Sequence, residues 1–178
     1  MACGFRPRSA RELDDAAQTR IEKIYGLIEQ CRYGIHDLSR TELDARNRLP
    51  RFNMPLELGL FLGAKRYGGK AQKPKRALIL DVEQHRDQKF ISDLAGMDIH
   101  EHGGDVTRAA RETRDWLANV SRRELPSAAR IQRIFGAFTA NLPEVAAELE
   151  FDPARLPYVD FERIVGQWLV EAPAAVGA

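Results

Sequence analysis

Residues 76–81 read Arg-Ala-Leu-Ile-Leu-Asp, an unbroken apolar run closed by a charge at each end. A strand with one wet face alternates apolar and polar residues. A short continuous run is the pattern of a strand buried on both faces, as in a parallel sheet covered by helices. Parallel strands cannot be joined by tight hairpins, so such a strand commits its neighbours to alternate between helix and strand.

The flanking sequence follows that alternation. Ile21, Ile24, Tyr25, Ile28 and Cys31 fall at helical spacing, with Glu22, Lys23, Glu29 and Gln30 between them. Tyr33 to Ser39 is too short for a helix and reads as a strand running into a loop. The polar stretch 40–53 contains Pro50 and reads as a long loop. A helix follows over 53–68, with Pro55 in its first turn and Gly68-Gly69 ending it. After 76–81 the pattern predicts a short helix at 88–95 and a strand at 97–100. Val106, Ala109, Ala110, Thr113, Trp116, Leu117 and Val120 then mark an amphipathic helix capped by Asp105. Met1-Ala2-Cys3 leaves room for only a very short first strand.

Beyond residue 122 the character changes. Ile131, Ile134, Phe135 and Phe138 share a helical face, Pro143 is expected to start a short helix, and Phe161, Ile164, Val165, Trp168 and Leu169 form another face. The division expected is an α/β domain over 1–122 and an all-helical extension over 123–178, frayed at the final AAVGA. That extension either packs on the sheet or offers a surface to a protein partner.

Composition narrows the function classes. The net charge of +1 gives no bulk attraction to nucleic acid or membrane. Two cysteines, Cys3 and Cys31, without a CxxC supply neither a disulfide framework nor a zinc site, and fit a reducing cytoplasm. No apolar run is long enough to span a bilayer, and the first residues lack the apolar core of a signal peptide. P-loop, GxGxxG, GxSxG and HExxH motifs are absent. The arginines at 108, 111, 114, 122 and 123 interleave with Glu112 and Asp115 and read as a solvated face, so nucleic acid is not an expected partner. His100-x-His102 has strand spacing but no third ligand in register, so no metal is expected. His36 and His85 read as structural or solvent-facing.

Ligands of parallel α/β sheets sit beyond the carboxyl ends of the strands. Three segments are expected to converge there: Cys3-Gly4-Phe5-Arg6-Pro7-Arg8, then His36-Asp37-Leu38-Ser39, and the start of the Glu57 helix at Asn53. Glu57, the carboxylate of that helix, has two readings. One is a charge favoured by the helix dipole, worth about 0.3–1 kcal/mol. The other is a functional acid, because Leu56, Leu58, Leu60, Phe61 and Leu62 make the helix apolar nearly all round and so expected to be buried. A buried unpaired carboxylate is costly unless it has a purpose. Asp37 is either an Asx-turn residue or an acceptor for ribose hydroxyls. Arg6 and Arg8 are either solvated charges or a fork for phosphate or carboxylate. Phe5 either stacks on a base or belongs to the core.

The segments "ACGFRPRS", "IHDLS" and "NMPLELGLFLG" together resemble the nucleoside 2-deoxyribosyltransferase and Toll/interleukin-1 receptor (TIR)-like superfamily, over roughly residues 1–122. The resemblance implies a flavodoxin-like parallel sheet flanked by helices. It also implies that Glu57 is the catalytic glutamate, that Asp37 binds the sugar, and that the loop Gly4 to Arg8 borders the substrate, with Ser39 and Asn53 beside it. The implied activity is cleavage of an N-glycosidic bond, with NAD the first candidate and a nucleoside the second. NAD or a nucleotide is here substrate or ligand, not cofactor. Many bacterial proteins of this kind consume NAD in antiphage defence, or make or sense nucleotide signals, and they often need self-association, so a homo-oligomer is expected. The rival expectation is a non-catalytic nucleotide-binding or scaffold module of the same fold.

Overall fold

A computed structural model describes residues 1–41, 43–46 and 48–171; the AAVGA expected to fray lies outside them. Among the described residues the chain forms five α-helices and three strands in a mixed α/β arrangement. It divides into two compact units, Asp15–Arg122 and Met1–Asp14 together with the chain from Arg123 on.

The first unit holds the sheet. Strand β1 (Tyr33–Asp37) pairs in parallel with β2 (Arg76–Asp81), and β2 with β3 (Ile99–Glu101), in the order β1-β2-β3. The run 76–81 is the central strand, and Leu78 to Asp81 are all buried. Helix α1 (Arg20–Gln30) opens with a capping box between Thr19 and Glu22. Helix α2 (Asn53–Tyr67) lays Leu58 against Leu38 and Ile79, with Met54 and Leu62 beside them. Helix α3 (Val106–Ser121) covers the other face, where Trp116 packs on Leu78 and Leu80. Asp105 caps α3 by accepting from the Thr107 N–H.

The pleat assigns each β1 side chain to a face. Tyr33 meets Trp116 edge-on at 5.9 Å, on the α3 side. Gly34, His36 and Leu38 point toward α2, where His36 lies edge-on to Phe61 at 5.3 Å. Gly34 must remain glycine, since a Cβ there would lie 2.7 Å from His36 Nε2 and 2.9 Å from the Phe61 ring.

Lys75 is 2% exposed just before β2. Its ammonium donates to the Ile28 and Cys31 carbonyls at the end of α1 and sits 4.9 Å over the Phe61 ring. It thereby supplies the partners that the last turn of a helix lacks. Burial lowers its pKa, with Cys31 and Glu29 acting in the opposite sense.

Helix α2 is less buried than its composition predicts. Leu58 and Phe61 are its buried residues, whereas Leu56 is 55% exposed. The sheet takes one stripe and α1 a second; the stripe through Leu56 and Gly59 stays open. The short helix expected at 88–95 is two 3₁₀ turns, Arg86–Lys89 and Ser92–Leu94. Their Phe90 and Leu94 pack into the α2-side core.

In the second unit the N-terminal residues form no strand; Met1 to Gly4 make a turn closed by a Gly4 N–H to Met1 carbonyl bond of 2.7 Å. Helix α4 (Ala128–Glu148) runs straight through Pro143 instead of ending before it. Helix α5 (Tyr158–Glu171) brings Phe161 and Trp168 edge-on to Phe138 of α4, at 5.9 and 5.4 Å. These aromatics line a mostly apolar cavity of about 270 Å³ within this unit.

Candidate functional site

The carboxyl ends of the three strands carry a polar cluster. Asp81 closes β2 at 0% exposure, and its Oδ1 accepts from the Val82 N–H at 2.7 Å and from Arg86 Nε and Nη2 at 2.9 and 2.6 Å. Arg86 Nη2 also donates to the Leu38 carbonyl at 2.8 Å. One guanidinium thus ties the loop after β2 to the end of β1, and its planar fork suits that double task. The other Asp81 oxygen has no hydrogen-bond partner among the described residues.

Asp37 closes β1. Its Oδ1 accepts from the Ser39 N–H at 2.9 Å, an Asx turn, and lies 3.4 Å from His102 Nε2. The Asp37 side chain is 44% exposed, whereas that of His102 is 7%. The pleat directs Asp37 to the α3 side of the sheet. His100, two residues before His102, turns to the same side and meets Glu112 of α3 at 2.9 Å. The two histidines therefore serve different carboxylates, and no group of three His, Cys, Asp or Glu among the described residues is placed to hold a metal ion.

Glu57 lies in the second turn of α2, half-buried and flanking the stripe that faces the sheet. Burial raises its pKa, and the charge of Arg20, at the start of α1, pulls part of the way back. Asn53, the first residue of α2, is exposed. No hydrogen bond joins Glu57 to Asp37 among those described; each has its own surroundings, Arg20 for one and His102 with Ser39 for the other.

The remaining expected residues belong to the helical unit. Arg6 pairs with Glu162 at 3.1 Å, and Arg8 with Glu12. Phe5 lies under the Arg123 guanidinium at 4.7 Å, and the Gly4 carbonyl accepts from Arg123 at 3.3 Å. Gly4 takes a positive φ of 68° at this turn. Both arginines named as anion ligands thus have carboxylate partners within their own unit.

Sequence reasoning missed His102 and Arg86. For His102 the available signal was His-Gly-Gly-Asp directly after a strand: two glycines permit a tight return of the chain, and the histidine before them is held at the strand end. For Arg86 there was no local signal, because its partners are a strand end and a carbonyl distant in sequence. No helix among the described residues is long and apolar enough to cross a membrane. No family model, no curated protein and no solved structure matches this chain.

Proposed function

We propose that this chain handles a nucleotide or nucleoside at the carboxyl edge of its sheet and hydrolyses the N-glycosidic bond, with NAD the first candidate substrate. The observation that carries the reading is Asp37: a carboxylate at a parallel strand end whose side chain is 44% exposed, with Oδ1 accepting from the Ser39 N–H and lying 3.4 Å from His102 Nε2. The likeness of "ACGFRPRS", "IHDLS" and "NMPLELGLFLG" to the TIR-like and deoxyribosyltransferase superfamily supports the same reading and, with it, a flavodoxin-like sheet. It also favours self-association and a place in antiphage defence.

In this reaction the C–N bond at the anomeric carbon breaks through an oxocarbenium-like state, the base leaves with the bonding pair, and water completes the sugar. Glu57, in its ionised form, stabilises the cationic carbon or attacks it to form a ribosyl-enzyme that water then opens. Asp37 fixes the sugar through its hydroxyls.

The test is release of free base from NAD and from nucleosides, over a range of protein concentrations that allows assembly. Wild type is expected to turn over, and Glu57→Gln to be slower by roughly a hundredfold or more. Glu57→Gln is also expected to raise the melting temperature at neutral pH, because it removes a charge that burial disfavours. Equal rates in the two proteins would remove Glu57 from the mechanism. Binding without turnover is the second reading, favoured by the pleat, which sends Asp37 away from α2. Nucleotide-induced thermal stabilisation with no base released at any concentration would select it.

A further inference from the structure

We propose that His102 is a positioning residue for Asp37: it selects which carboxylate oxygen faces the ligand, and so makes the site select for hydroxyl donors. This rests on the reading of Asp37 as the sugar-binding carboxylate.

The backbone fixes His102 first. Its N–H donates to the Asp81 carbonyl at 2.9 Å, and the Gly103 N–H to the Val82 carbonyl at 3.0 Å, which continues the β2–β3 ladder past the last residue of β3. Gly103 and Gly104 then adopt φ of +62° and +77° in succession, a conformation that side chains resist. That return brings the Gly104 N–H to 3.1 Å from His102 Nδ1. A backbone N–H can only donate, so Nδ1 must be the accepting nitrogen and the ring proton sits on Nε2. Nε2 is the atom that faces Asp37 Oδ1 at 3.4 Å. The Ser39 N–H occupies the same oxygen at 2.9 Å. With Oδ1 engaged twice on a side chain that is 44% exposed, Oδ2 is the acceptor left for a ligand. The His-Gly-Gly turn therefore acts on the ligand through a proton held in place on Nε2.

The Nε2–Oδ1 contact is long at 3.4 Å, so its loss is read as up to about tenfold in affinity. Calorimetric titration with adenosine and 2′,3′-dideoxyadenosine as probes compares wild type, His102→Leu and His102→Gln. Wild type is expected to prefer adenosine by about tenfold. His102→Leu is expected to bring that preference near unity while keeping its affinity for the dideoxy probe. His102→Gln, whose amide N–H replaces Nε2–H, is expected to restore the preference. A preference that survives in His102→Leu overturns the proposal. Long-range ¹H–¹⁵N spectra of the free wild-type protein give an independent measure: a proton on Nε2 supports the link to Asp37, and a proton on Nδ1 overturns it whatever the ligand does. If wild type binds neither probe nor NAD, the nucleotide reading falls, and the tautomer alone decides whether His102 orients Asp37.

Discussion

Between pH 7 and pH 4 the sheet unit is expected to lose about 3 kcal/mol of stability through one side chain, His36. The imidazole is 6% exposed beneath α2, edge-on to Phe61, and neither ring nitrogen has a hydrogen-bond partner among the described residues. Burial lowers its pKa from 6.5 to about 4. The unfolded chain therefore takes up this proton near pH 6.5 and the folded chain only near pH 4. Across that window the unfolded state binds more protons, so stability is complete above about pH 6.5, falls as the pH falls, and levels off below about pH 4. Urea midpoints of wild type and His36→Leu at pH 7, 5.5 and 4 measure the contribution by difference. The variant is expected to remove this slope and leave the smaller ones from surface carboxylates. Parallel slopes in the two proteins would mean that His36 meets water in the native state.

Replacing Arg86 is expected to cost about 3–5 kcal/mol, because it strands a buried charge. Asp81 is fully buried, and among the described residues Arg86 supplies its side-chain donor contacts, from Nε and Nη2. In Arg86→Met the Val82 N–H alone remains on that carboxylate, and the Leu38 carbonyl loses its donor. The double variant Arg86→Met, Asp81→Leu is expected to recover much of the loss, since an apolar pair of similar volume does not require charges to leave water. Equal instability of the single and double variants would show that the Arg86 bond to Leu38, rather than the ion pair, holds the strand ends together. Chemical denaturation with a full double-mutant cycle separates the two.

The readable parts of the fold were those in which neighbours in sequence are also neighbours in space. The run 76–81 announced a strand covered on both faces, and Asp105 before Val106 announced the start of α3. The apolar content of α2 was misleading because composition measures what a helix can bury, while coverage depends on how many neighbours arrive. Leu56 is left open by a three-stranded sheet with α1 on one flank. Pro143 reads as a helix start because proline suits a first turn. The helix carries it inside at the cost of one backbone donor, with Phe138 before it and Ala146 after it both buried. Of the candidate site, the strand-end position of Asp37 was visible in "IHDLS". Its link to His102 spans 65 residues and depends on strand register, which no local pattern encodes. Arg6 and Arg8 carried the right chemistry for phosphate, but the same chemistry serves Glu162 and Glu12.

The ammonium locked under α1 also gives this protein an internal clock. Acylating reagents reach only the free amine, so Lys70, Lys73 and Lys89, all on the surface, are expected to be tagged within minutes of mixing. Lys75 is expected to react only when the end of α1 lifts away from the sheet. Mass spectrometry of that one peptide over time would then record how often the unit opens, and tagging of Lys75 at the pace of its surface neighbours would show that the pin is loose.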